Sequence, residues 1–316
     1  MVKSEAMKIA VTDGTILEAK VDRTDCESVG IVHIFHGMAE HLERYNALVE
    51  KLNQQGYHVI RHNHRGHGID IDSERGHYDS MMQVVKDAHE VQTTLKAQFD
   101  DTLPLIVLGH SMGSIIARQY VQTYPNDCQG LILSGTGLFP SFYRFTIVPL
   151  LKCITLICGK KRRMKWLNNV MTNSFNKKFK PLRTESDWIS SNESEVDAYI
   201  ADSYSGFLVS NQLIYSVVNT MMQTARIKNI EKMNPQLPIL LVSGKDDPFG
   251  DFGNAIRNLG KLLKKGGIEH ITVQLYKNKR HEVLFENDKE TVWKHMLEWM
   301  SRQIIKKRKV GELGDR

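Results

Sequence analysis

Residues 103–125, LPLIVLGHSMGSIIARQYVQTYP, pass from an apolar run straight into a glycine-flanked serine and then into an amphipathic pattern. A serine at a strand-to-helix turn, with glycines at positions 109 and 113, has the form of a nucleophile elbow, G-x-S-x-G. The turn forces the serine backbone into a strained region, and side chains two positions either way would meet the strand or the helix. Ser111 Oγ then stands clear, with backbone N–H groups and the positive end of a helix dipole directed at any oxyanion formed there. A hydroxyl is a poor nucleophile until a base removes its proton, so a histidine and an orienting carboxylate are required. They should follow in the order serine, acid, histidine, on loops after later strands. Residues 239–243 lead into Gly244-Lys245-Asp246-Asp247-Pro248, and residues 271–276 into Lys277-Asn278-Lys279-Arg280-His281-Glu282. His281 is the candidate base. Asp246 and Asp247 are both candidates for the acid, because two adjacent side chains cannot both face the imidazole and spacing does not choose between them.

Loops can converge in this way only if strands and helices alternate. Residues 8–21, with Asp13-Gly14 at the centre, read as a hairpin. Strands are predicted over 30–35, 57–61, 104–109, 130–134, 238–243 and 270–276. Helices are predicted over 43–55 (closed by Gly56), 79–99, 114–124 (stopped by Pro125) and 292–306. This order predicts an α/β fold with a mainly parallel sheet covered by helices on both faces. The rhythm breaks between about 136 and 235, where no strand pattern is convincing. The expected organisation is a core from 1–135 and 236–316, with an all-helical insertion over 136–235.

Together these motifs resemble the α/β-hydrolase superfamily, in particular its monoacylglycerol lipase/lysophospholipase-like branch, the serine aminopeptidase-type hydrolases. The likeness rests on His36-Gly37-Met38-Ala39-Glu40-His41 with Arg44-Tyr45, Arg65-Gly66-His67-Gly68, Gly109 to Gly113, Gly244 to Pro248, and Arg280-His281-Glu282. The resemblance implies that the acid is the fourth residue of a Gly-x-x-Asp turn, which is Asp247 here. It implies an oxyanion hole from the backbone N–H groups of Met38 and Met112, and a helical lid for the insertion. Converging N–H donors after the 30–35 strand are what a tetrahedral oxyanion needs. One departure is Asn63, where the family usually carries Asp. Asn keeps the shape without the charge, which predicts a less firmly held loop.

Apolar content of 41% and charged content of 25% are ordinary for a soluble globular protein. The net charge of +6 is unevenly placed: residues 141–183 hold eleven Lys or Arg and no acid, which leaves 31 bases against 36 acids elsewhere. The asymmetry points to a local surface property, and a nucleic-acid footprint is not expected. In the same segment Phe142, Phe145, Ile147, Val148, Leu150, Leu151, Ile154, Leu156 and Ile157 precede Lys160-Lys161-Arg162-Arg163 and Trp166. Such a pattern suits either peripheral contact with an anionic membrane or a lid packed on its own body with a solvated basic face. Lys306-Lys307-Arg308-Lys309 reads as a cationic helix end, with a nuclear-import address as the alternative. The four cysteines have no CxxC spacing and read as buried free thiols. Residues 1–20 lack a signal-peptide pattern, no run of 18 uncharged apolar residues occurs, and a cytoplasmic location is expected. His62, His64 and His67 lack companion ligands at metal spacing, so no metal is expected, nor any cofactor.

The expected activity is a serine carboxylic-ester hydrolase acting through an acyl-enzyme on a small acyl ester. The resemblance implies a lysophospholipase or monoacylglycerol lipase. An aminopeptidase-type serine peptidase is the alternative, requiring an acidic subsite that residues 185–202 could supply. A non-catalytic binding protein on the same scaffold is a further alternative.

Overall fold

Alternation along the strands divides the core between two faces of one sheet. A computed structural model of the chain describes residues 3–305. Among these, β1 (Lys3–Ala10), β2 (Ile16–Arg23), β3 (Gly30–Phe35), β4 (Tyr57–His62), β5 (Leu105–His110), β6 (Gly130–Ser134), β7 (Ile239–Gly244) and β8 (Ile271–Tyr276) form a single sheet. Its order is β1-β2-β4-β3-β5-β6-β7-β8, parallel throughout except where β1 and β2 pair antiparallel with each other and β2 with β4. In β5, Leu105 and Val107 join one apolar cluster, while Ile106 and Leu108 join the other. The first cluster is completed by α2 (Met81–Lys96), α3 (Met112–Thr123) and α9 (Asn254–Lys265), the second by α1 (Asn46–Gln54) and α10 (Lys289–Met300). With both faces covered, β3 to β7 are buried at every position, as parallel strands in this architecture are.

The hairpin is longer than the pattern indicated, with Gly14 at φ 84° in its turn. The expected helix over 43–55 is shorter, because Leu42–Tyr45 forms a separate 3₁₀ turn before α1. After Met300, α10 widens into a π turn at Ser301–Ile305, and the basic tetrapeptide from Lys306 lies outside the described residues.

Between β6 and β7 the described elements are all helical: α4 (Ile147–Cys158), α5 (Lys165–Asn176), α6 (Glu193–Ala201), α7 (Asn211–Thr224) and α8 (Ile227–Ile230), with a 3₁₀ turn before α4. α7 is the inner member, with Leu213, Ile214, Val218 and Met221 in the first apolar cluster. α4 is different. The stretch Ser141–Cys158 is apolar enough to cross a membrane by composition, yet only 17% of it is buried. Phe145 is 70% and Ile157 84% exposed.

Two expectations are corrected. Cys128 is buried, but Cys26, in the loop between β2 and β3, and Cys153, on a face of α4 that is not covered, are exposed, and Cys158 is half-buried. Asn63 does not loosen its loop. Its Oδ1 accepts from Leu42 N–H at 2.9 Å and its Nδ2 donates to Glu18 Oε2 at 2.7 Å. An aspartate could not make the second bond and would face the Glu18 carboxylate.

Candidate active site

The carboxyl ends of β3, β5, β7 and β8 meet at one rim, and the candidate residues stand on the turns that leave them. Ser111, directly after β5, has φ 52° and ψ −117°, a strained conformation for a residue with a side chain. Its N–H donates to Ser134 O at 2.9 Å, and its carbonyl accepts from Ser114 N–H and Ser114 Oγ. The glycines follow from crowding: a Cβ at 113 would collide with the Phe35 carbonyl, and one at 109 with the backbone of Gly113.

His281 leaves the loop after β8 with its Nε2 2.8 Å from Ser111 Oγ and its Nδ1 3.1 Å from Asp247 Oδ1. Asp247 is therefore the aspartate that meets the imidazole; the N–H of Asp246, its neighbour, donates to Lys279 O. Asp247 is fully buried, and its carboxylate also accepts from Phe249 N–H at 2.9 Å and Ser243 Oγ at 3.1 Å. Burial alone would push the imidazole toward its neutral form. The charge and hydrogen bond of Asp247, helped by Glu282 and Glu40, outweigh it and raise the His281 pKa above its ordinary 6.5. Three rings hold the imidazole in place: Trp188 at 4.8 Å, His110 at 5.2 Å and Phe249 at 5.5 Å between centroids.

The third side of the site is the loop after β3. Met112 N–H, in the first turn of α3, has no intrahelical acceptor, and Met38 N–H has no acceptor among the described residues. Gly37 N–H is taken by Glu40 Oε1, so it is not free for a ligand. Ala39 has φ 53°, and its carbonyl accepts from Gly206 N–H at 2.9 Å and Tyr199 O–H, both in the insertion. Below the loop, His36 Nδ1–H donates to Gly37 O while Nε2 accepts from His64 N–H, a pattern only the neutral ring can make. Burial, with repulsion from His67, lowers the His36 pKa to about 3. The neighbouring rings of His62, His64 and His67 are likewise buried and held neutral by burial.

Sequence reasoning quoted Glu40, Arg44 and Glu282 without a role, and the structure joins them. Arg44 bonds Glu40 at 2.5 Å and forks onto Glu282 at 2.7 and 2.8 Å. Glu40 in turn accepts from Gly37 N–H and from Tyr45 O–H. One guanidinium thus ties the Met38 loop to the residue after His281. Burial would raise the Glu40 pKa, but Arg44, with nearby His110 and His36, brings it down to about 2. Buried Glu286 fastens the His281 loop from its other side, accepting from Arg280 N–H, Ser191 N–H and Ser191 Oγ.

Above Ser111 lies a cavity of about 460 Å³, bounded by Met38, Ser111 and His281 below and by α5 and residues 185–189 above. Its size is that of a small-molecule site.

A family model described as serine aminopeptidase, S33, matches residues 27–288. Monoacylglycerol lipase of Mycolicibacterium smegmatis is 25% identical over 277 residues, 87% of this chain and 89% of that protein. Monoglyceride lipase of Rattus norvegicus is 24% identical over 92% of this chain and 89% of its own length. Among solved structures, a thermostable carboxyl esterase from Bacillus coagulans superposes with a TM-score of 0.86 at 25% identity, covering 96% of this chain and 99% of that one.

Proposed function

The chain belongs to the serine aminopeptidase S33 family of α/β-hydrolases, and from that premise we propose that it is a serine hydrolase cleaving carboxylic esters of single-chain glycerolipids through an acyl-enzyme. The observation that carries the reading is the 2.8 Å bond from Ser111 Oγ to an imidazole whose other nitrogen faces buried Asp247. Ser111 Oγ attacks the ester carbonyl carbon as His281 Nε2 takes its proton, and Asp247 orients and stabilises the resulting imidazolium. The carbonyl oxygen becomes an oxyanion held by the N–H groups of Met38 and Met112, a pair of donors of the kind worth about 10²–10³ in rate each. Collapse breaks the bond to the alcohol, which leaves with the proton from His281. Water then attacks the acyl-enzyme, again giving its proton to His281, and the Oγ–acyl bond breaks to release the acid and restore Ser111. No step calls on a cofactor. Residues 136–235 act as a cap over a core made by the described residues before and after them. The similarity to monoacylglycerol lipases and to phospholipase YtpA of Bacillus subtilis, 33% identical over 111 residues covering 35% of this chain and 41% of that protein, supports a lipid ester.

The outer face of the cap supports a peripheral contact with an anionic lipid surface. Phe142, Phe145, Leu150, Leu156, Ile157 and Trp166 are exposed, and the cations Lys152, Lys160 and Arg162 around them make no ion pair among the described residues. Apolar residues bordered by free cations complement an anionic bilayer surface.

A second reading is favoured by one residue: Glu185 lines the cavity without a side-chain partner among the described residues and is suited to the amino terminus of a peptide. Turnover of nitrophenyl esters of increasing chain length beside aminoacyl amides tests the choice. Faster hydrolysis of the esters is expected, and a preference for the amides would overturn the esterase reading.

A further inference from the structure

The loop that carries Met38 is held from two sides. From the core, the Gly37 carbonyl accepts from His36 Nδ1 at 2.7 Å and the Gly37 N–H donates to Glu40, which fixes the peptide unit ending in the Met38 N–H. Ala39, next in the chain, sits at φ 53°, a conformation that an L-residue keeps only when its surroundings hold it there. What holds it comes from the insertion. The Ala39 carbonyl accepts from Gly206 N–H at 2.9 Å and from Tyr199 O–H at 3.4 Å. The turn that delivers Gly206 is built on Asp202, which closes α6. The Asp202 carbonyl accepts from Ser205 N–H, and its carboxylate accepts from Tyr204 N–H at 2.9 Å and Ser205 Oγ at 2.7 Å.

Asp202 also reaches the loop itself. Buried His41 accepts at Nδ1 from Glu43 N–H, so its proton sits on Nε2 and is donated to Asp202 Oδ2 at 2.6 Å. Burial would raise the Asp202 pKa, but the hydrogen bonds from His41 and Ser205 bring it below its ordinary 3.8 and keep the carboxylate ionised. The Arg44 guanidinium lies over the Tyr199 ring, 4.9 Å from its centroid. Residues 199–206 thus grip the loop at Ala39, His41 and Arg44. Contacts that only closed a cavity would have no need to converge on the strained residue beside an oxyanion donor.

We infer that Asp202 and Tyr199 are positioning residues for acyl transfer: through His41 and Gly206 they hold Ala39, and so the Met38 N–H, where the oxyanion forms. The inference rests on the ester-hydrolase reading and adds that the insertion takes part in the chemistry as well as covering the cavity. A donor stabilises an oxyanion fully only when it is already oriented, since reorienting it during the reaction offsets the gain. Released from the cap, Ala39 would relax toward an ordinary conformation and turn the Met38 N–H away. The loss falls on the transition state and leaves ground-state binding in place, because Asp202 does not line the cavity.

The test measures turnover of a short nitrophenyl ester and inhibition by a trifluoromethyl ketone, whose adduct with Ser111 is itself an oxyanion. Rates are expressed per active site titrated with a fluorophosphonate, so misfolded protein is not counted. Asp202→Ala should lower kcat by about tenfold to hundredfold, less than the factor of about 10²–10³ for deleting a donor outright, with KM within about twofold of wild type. Affinity for the ketone should fall by the same factor as kcat/KM. Asp202→Asn keeps an acceptor for His41 and should recover most of both. Tyr199→Phe removes one oxygen and should lower both by about threefold, the scale of a weak hydrogen bond; it carries the test should Asp202→Ala not fold. Asp197→Ala breaks the exposed ion pair with Arg183 on the same helix and should match wild type. Unchanged kcat, a rise in KM alone, a fall in kcat without a matching loss of ketone affinity, or an equal fall in Asp197→Ala would overturn the positioning role while the esterase reading stands. A wild type that takes no fluorophosphonate and cleaves no ester would overturn the esterase reading itself.

Discussion

The floor and the roof of the cavity over Ser111 differ in where their polar groups find partners. On the floor, Glu40, Arg44, Glu282, Glu286, Asp247 and His281 are bonded to one another or to backbone, and most are buried. On the roof, Lys165, Asn169, Thr172 and Glu185 line the same cavity without side-chain partners among the described residues, and the outer face of α4 and α5 leaves large apolar residues in solvent. Bonded, buried groups fix a geometry, as stabilising a transition state requires. Unpaired groups around a cavity leave their interactions to a ligand, as recognition requires. The division separates residues that should govern kcat from residues that should govern KM.

Substituting the floor should have the larger consequences. Ser111→Ala or His281→Ala should lower kcat for a nitrophenyl ester by about 10⁴ or more, and Ser111→Ala, which removes a single oxygen atom, should leave the thermal unfolding midpoint little changed. Arg44→Met should cost about 3–5 kcal/mol in denaturant unfolding, since it leaves the Glu40 and Glu282 carboxylates buried and unpaired. A stable Arg44→Met protein with full activity would show that the strut between the Met38 loop and the His281 loop is dispensable.

Acid should sharpen the comparison. His33, His36, His67 and His110 are buried, with pKa values lowered from 6.5 to about 4, 3, 4 and 4. A base with a depressed folded-state pKa binds its proton more readily when unfolded. Its contribution is therefore complete above 6.5 and is lost as the pH falls toward the folded values. Urea midpoints should fall steadily from pH 6.5 to about 4. His281 has the opposite shift: its raised pKa keeps the imidazole protonated to higher pH, so the acid limb of kcat/KM should have its midpoint above 6.5.

The smallest effect on the fold should come from the outer roof. Ile157→Asp, at an 84% exposed position, should change unfolding free energy by less than about 0.5 kcal/mol. Its binding to anionic vesicles, measured by co-sedimentation, should weaken several-fold. Unchanged vesicle binding would remove the lipid contact from the account.

The floor was far more legible in the sequence than the roof. β3 and β6 fall where the pattern put them because each is an apolar run opened by glycine, and a strand in the middle of a parallel sheet has no solvent face to blur the signal. α3 begins at Met112, two residues before the expected start, because strained Ser111 is itself the residue that opens the helix. The choice between Asp246 and Asp247 required the turn after β7, since one residue of difference reverses the direction of a side chain. Arg44 was visible as a motif residue, but its partners are four and 238 positions away, and spacing does not report the longer pairing. On the roof, the stripe at 165, 168, 169 and 172 has a helical period, yet a polar stripe facing a cavity and one facing water read alike in sequence. Cys153 was expected to be buried because a thiol is usually an interior group; the exposed surface of α4 shows how far this insertion departs from that habit.

The most direct test of the central claim is the site of covalent capture. Intact-mass and peptide mass spectrometry after reaction with a fluorophosphonate should find a single adduct per chain, on Ser111, absent from Ser111→Ala and formed far more slowly in His281→Ala. An adduct on another residue, or none on an otherwise folded protein, would contradict the proposal that His281 activates this serine.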